Sequence, residues 1–135
     1  MRIDGGCHCG FITYAAEVDP ERTSICHCTD CQQLSGTAFR TSISAPDTGF
    51  KMLSGEPTIY VKTGESGARR LQAFCPRCGS PIYATAPGDG PKVYNIRLGT
   101  VRQRRELAPR RQIWCRSRQP WLGELAALPG VDKQS

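Results

Sequence analysis

The sequence predicts a mostly β fold of antiparallel sheet, cross-linked through its cysteines. Three observations lead there. Apolar residues fill only 39% of the 135 positions, and 14 Gly with 10 Pro favour turns over long helices. Short runs rich in β-branched and aromatic residues recur between turn signals. Eight cysteines, mostly in spaced clusters, offer a small core extra anchorage. The length fits one domain over residues 1–135.

Each element follows from local chemistry. Residues 11–18 are rich in β-formers and are closed by Pro20; residues 39–44 alternate before Pro46. Residues 58–63 are opened by Gly55-Glu56-Pro57 and closed by Gly64. Further strands are expected at 68–74, 82–86, 92–98 and 112–116, separated by turn residues such as Pro87-Gly88-Asp89-Gly90 and Gly99. One short helix is expected at 29–34, capped by Thr29 or a neighbour and stopped by Gly36. No helical period lasts long enough for a crossover between parallel strands. The tail, 122–135, holds at most a half-turn near 124–128, with its last residues expected to be disordered. No apolar run approaches a membrane span, and Met1-Arg2-Ile3-Asp4-Gly5-Gly6 has no signal core. A soluble, cytoplasmic protein is therefore expected.

In a reducing compartment, eight cysteines point to metal rather than disulfides. Cys7-His8-Cys9 is a C-x-C pair, Cys26 to Cys31 is C-x-C-x-x-C, and Cys75-Pro76-Arg77-Cys78-Gly79 is a zinc knuckle. The knuckle needs a second pair, from Cys7 and Cys9 or from the middle cluster. If Cys7, Cys9, Cys75 and Cys78 share one zinc, that site is full. Cys26, Cys28 and Cys31 then form a three-thiolate site with one open position, where ligand exchange and chemistry happen. A fourth ligand from His8, His27 or Cys115 would close it instead. Each histidine sits between paired cysteines, which favours a supporting or surface role over ligation. Cys115, beside Trp114 in an expected strand, reads as a buried small hydrophobe; its alternative is a reactive thiol activated by Arg111 and Arg116.

The net charge of +6 is local. Residues 92–118 carry nine basic groups, eight of them Arg, and one acidic group, a net +8. Such a segment is a solvated face, a nucleic-acid patch, or the rim of a small-anion pocket. Tyr94 and Trp114 are too sparse for a single-strand stacking platform.

The three cysteine clusters, in this order, resemble the glutathione-dependent formaldehyde-activating enzyme family, whose domain also occurs in centromere protein V. The likeness spans about residues 4–121 and is carried by Gly6-Cys7-His8-Cys9-Gly10, Cys26 to Gln32 with Ser35-Gly36, Phe74 to Ser80, and Ile113-Trp114 to Ser117-Arg118 with Pro120-Trp121. The resemblance implies a zinc-pinned β-tent fold. It implies a structural zinc on Cys7, Cys9, Cys75 and Cys78 and a catalytic zinc on Cys26, Cys28 and Cys31. The implied activity is carbon–sulfur lyase chemistry: glutathione plus formaldehyde gives S-hydroxymethylglutathione, or a related thiol adduct is handled. Gln32 and Ser35, one helical turn apart, and Arg116 are the candidate substrate contacts. His27 and Asp30 are the only evident acid–base pair. Two readings compete: a non-catalytic zinc module binding protein or nucleic acid through 92–118, and a thiol redox enzyme using Cys115, since B-type methionine sulfoxide reductases look similar in fold.

Overall fold

A computed structural model describes residues 1–134; Ser135, the end of the tail expected to be disordered, lies outside the described residues. Among the described residues ten strands form two sheets. The smaller joins β1 (Arg2–Gly6), β2 (Thr13–Glu17) and β5 (Phe50–Ser54) in the order β1-β2-β5, all antiparallel. The larger contains β3 (Thr23–Cys26), β4 (Arg40–Pro46), β6 (Thr58–Thr63), β7 (Arg69–Phe74), β8 (Pro81–Thr85), β9 (Val93–Arg97) and β10 (Arg111–Ile113). Its order is β10-β3-β4-β9-β8-β7-β6.

The expected strands are present, with three additions. β1, β3 and β5 were hidden because their residues are poor or indifferent strand formers; β1 ends in Gly5-Gly6. Gly5 is there for close approach. A Cβ at this position would run into the Thr100 carbonyl oxygen, where Gly5 bridges Val101. Gly5→Ala is expected to cost about 1–3 kcal/mol by overpacking, read from urea unfolding. The sheet is antiparallel except at β10, which pairs parallel to β3. The chain reaches β10 after burying Leu107, and Arg110 N–H bonds to Thr23 O at 2.8 Å.

Among the described residues there is one α-helix, α1 (Thr29–Ser35), which matches expectation and stops at Gly36, whose φ of 71° suits a left-handed cap. The tail forms a 3-10 turn over Leu122–Ala127. Among the described residues no helix is long and apolar enough to cross a membrane.

Cross-strand partners share a face, so the register assigns the two faces of the larger sheet. One face packs on the smaller sheet. Ile43, Ile96 and Tyr83 are successive partners across β4, β9 and β8. With Ile3, Ile12, Tyr14, Val101 and Leu107 they make the core. Phe50 stacks on Tyr14 and Tyr94 there, at 5.7 and 4.6 Å. The other face is polar. It carries Arg111, Ser24, Ser42 and Arg97 in one row of partners, and Ser44, Asn95, Ala84, Gln72 and Tyr60 in another. A whole sheet face given to polar groups explains the low apolar fraction.

Candidate functional site

The cysteines converge in two groups. The sulfurs of Cys7, Cys9, Cys75 and Cys78 all lie within 4.8 Å of one another, as do those of Cys26, Cys28 and Cys31. All eight cysteines are free thiols.

The four-sulfur group is built from two turns. Cys7 and Cys9 follow β1 in a turn closed by Gly10 N–H to Cys7 O at 3.2 Å. Cys75 and Cys78 follow β7 in a turn closed by Gly79 N–H to Cys75 O at 2.9 Å, with Gly79 at φ 78°. His8 N–H donates to Ser80 Oγ at 3.1 Å, and the Arg77 guanidinium sits 3.9 Å over the Phe11 ring, so the turns also hold each other. The donor chemistry fits a metal. Sulfur separations of 3.6 Å (Cys7–Cys9) and 3.8 Å (Cys9–Cys75) match the edge of about 3.8 Å of a tetrahedron with zinc–sulfur bonds of about 2.3 Å. Backbone N–H groups of Ile12 and Arg77 point at Cys7 and Cys75 sulfur, at 3.2 and 3.4 Å, as they do toward thiolates. The Ser80 hydroxyl and neighbouring backbone N–H groups hold the Cys78 thiol down to about 5.

The three-sulfur group lies where β3 meets α1. Cys26 ends the strand. Cys28 caps the helix in the place expected of Thr29 or a neighbour, its sulfur accepting Cys31 N–H at 3.2 Å. Cys31 sits in the first turn, buried. A hydrogen bond shared with Cys26, reinforced by the Arg40 charge, holds the Cys31 thiol down to about 4 and pushes Cys26 up. Arg40 Nη2 donates to Cys31 sulfur at 3.4 Å.

These three thiols open into a cleft of about 300 Å³ on the polar face of the larger sheet. Five cations line it: Arg40, Lys62, Arg70, Arg97 and Arg111, with no carboxylate among the lining residues. Lys62 pairs with Asp30 at 3.0 Å just outside. The four arginines pair with no carboxylate among the described residues. Arg97 is held by Ser42 Oγ and Gln72 Oε1, both at 2.8 Å, and burial followed by the Arg40 charge pushes its guanidinium down to about 9. Arg40 is 7% exposed, and its buried Nε has no partner. Four arginines without carboxylate partners give the cleft the chemistry to hold an anion.

The structure leaves the other expected contacts outside the cleft. Gln32 donates to the carbonyls of His27 and Ser117, at 2.9 and 3.0 Å, and accepts from Gln119 at 2.7 Å. Its amide is spent fastening α1 to the 117–119 segment. Ser35 bonds the Gln32 carbonyl and Thr37 around the helix end. Arg116 lies exposed, 3.3 Å from Glu65 and over the Trp114 ring. His27 is not a surface group. It is 1% exposed, donates through Nε2 to Gln112 Oε1 at 2.7 Å and packs edge-on to Phe39, so it ties β10 to the cysteine loop. Cys115 is exposed, not buried: Trp114 takes a left-handed φ of 56°, which ends β10 at Ile113 and turns Cys115 outward. The basic segment is dispersed. Arg97 and Arg111 enter the cleft, while Arg102, Arg110 and Arg116 pair with Asp4, Glu21 and Glu65.

Arg40, Lys62, Arg70, Gln72 and Asn95 were not among the expected contacts. Their signal was the polar half of the strand alternation, as in Arg40-x-Ser42-x-Ser44, Arg70-x-Gln72 and Asn95-x-Arg97.

Fold and site together define a two-sheet β protein with one closed thiol cluster and a second opening into a cationic cleft. Residues 2–117 match the model of the glutathione-dependent formaldehyde-activating enzyme family, and the chain belongs to that family. It also shares its fold with the crystal structure of a Rhodobacter sphaeroides protein at TM-score 0.61 and 17% identity, covering 81% of this chain and 98% of that one. Comparison with curated proteins gave no match.

Proposed function

We propose that this protein is a zinc-dependent enzyme of carbon–sulfur lyase type. It joins glutathione, or a closely related thiol, to formaldehyde at the Cys26–Cys28–Cys31 cluster, giving S-hydroxymethylglutathione. The observation that carries the reading is the three-thiol cluster opening into a cleft of five cations and no carboxylate. Family membership supplies the glutathione-dependent, formaldehyde-activating activity.

In this reading Cys7, Cys9, Cys75 and Cys78 hold a structural zinc, and Cys26, Cys28 and Cys31 hold a second one with a position left for substrate. Zinc held there would supply positive charge that keeps an incoming thiol ionised and polarises an aldehyde oxygen. The protein side chains do the rest. Three thiolates around a dication leave one negative charge, which Arg40 offsets through its bond to Cys31 sulfur. Arg97, Arg70 and Arg111 can hold the two carboxylates of glutathione. Ser42, Ser44, Gln72 and Asn95 offer hydrogen bonds to its peptide groups. In the reaction the sulfur–carbon bond forms as the carbonyl π bond opens, and the thiol proton ends on the former carbonyl oxygen.

Cys28→Ser tests this. The variant is expected to keep its fold and one zinc while losing at least a hundredfold of catalysed exchange between glutathione, formaldehyde and adduct, measured by NMR exchange. Wild-type exchange rates in the variant would overturn the proposal.

A further inference from the structure

A second cavity, of about 330 Å³, adjoins the cleft. Arg40, Gln72 and Arg97 line both. The rest of its lining is mainly apolar: Leu34, Tyr60, Phe74, Pro81 and Tyr83 among others. Helix α1 presents Cys31 to the cleft and Leu34, one turn on, to this chamber. Arg40 reaches Cys31 sulfur at 3.4 Å while lining the chamber. The chamber therefore begins one side chain away from the thiol cluster. Formaldehyde has a single carbon and nothing to place there.

We propose that cleft and chamber form one two-part site for a thiol adduct whose sulfur bears an apolar group of benzene-ring size or larger. This inference rests on the function proposed above and widens its aldehyde partner. The anionic part of the thiol lies against Arg97, Arg70 and Arg111, and the apolar body lies among Leu34, Tyr60 and Phe74. The bond changes stay the same: the sulfur adds to the carbonyl carbon of an apolar aldehyde, and the thiol proton ends on oxygen, giving a hemithioacetal. No oxidant or reductant enters. A ring seated among aromatic side chains in offset or edge contact gains affinity beyond simple burial.

Calorimetry on the zinc-loaded full chain tests this with glutathione, S-methylglutathione and S-benzylglutathione. S-benzylglutathione is expected to bind at least tenfold more tightly than S-methylglutathione. Leu34→Trp, which fills the chamber, is expected to abolish that preference while leaving S-methylglutathione affinity within about twofold. Tyr60→Ala, on an edge strand with its side chain largely exposed, is expected to lower S-benzylglutathione affinity about threefold to tenfold with no change in folding. Equal binding of the two conjugates, or a preference that survives both substitutions, overturns the two-part site and leaves the glutathione reading intact. Absence of binding by all three compounds overturns the glutathione reading, and the two-part site with it.

Discussion

Cys75→Ser is expected to leave a chain that no longer folds at neutral pH. Cys75 is fully buried in the core, and its turn joins β7 and β8 of the larger sheet to the turn after β1 of the smaller one. In the proposed four-cysteine zinc site, losing one ligand would remove most of the metal's hold. Structural zinc contributes about 10–16 kcal/mol in zinc-finger peptides, while a domain has only about 5–15 kcal/mol in total. The loss therefore exceeds what the core can offset, the more so because the polar face of the larger sheet contributes little apolar burial. Circular dichroism and a urea titration check it, with Cys28→Ser as the variant that keeps its fold. A cooperative wild-type transition in Cys75→Ser would separate the four-sulfur cluster from stability.

Arg97→Met is expected to weaken S-methylglutathione binding about tenfold to a hundredfold, the range for one or two charge-assisted hydrogen bonds. Zinc content should not change, because Arg97 touches Ser42 and Gln72 and no cysteine sulfur. Arg97→Lys should recover only part of the loss, since an ammonium cannot match a two-pronged guanidinium. Burial and the Arg40 charge push the Arg97 guanidinium down from its ordinary value, but an arginine keeps its charge throughout the range in which the protein would be assayed, so S-methylglutathione binding is expected to be flat from pH 7 to 8. Undiminished affinity in the variant would take Arg97 out of recognition.

The cysteine groups were legible in the sequence because their ligand spacing is short-range. C-x-C and C-x-x-C fix two sulfurs within one turn wherever the turn lies. Helix α1 was legible for the same reason, between its cap at Cys28 and its stop at Gly36. The cleft was not, because its charges come from five different strands: Arg40, Lys62, Arg70, Arg97 and Arg111 meet only through strand order and register. The basic segment drew attention to Arg97 and Arg111 but equally to Arg116, which ended on Glu65. Gln32 and Ser35 looked like substrate contacts because they follow the cysteines on one helix; nothing in the sequence revealed that the Ser117 carbonyl and Gln119 would occupy Gln32. Cys115 turned outward because Trp114 is left-handed, a backbone state that no nearby glycine announced. The net charge of +6 takes on a different meaning around the metal sites. Seven thiolates with two dications would subtract three charges, leaving a modest field concentrated in one cleft.

The proposed function divides seven cysteines into four that hold the fold and three that serve the cleft. Zinc content per chain, measured for wild type and Cys28→Ser while glutathione is titrated into each, tests it most directly. Two zinc ions are expected in wild type and one in a folded Cys28→Ser, with glutathione binding lost alongside the second ion. Two ions retained in Cys28→Ser, or undiminished glutathione binding with one, would contradict it.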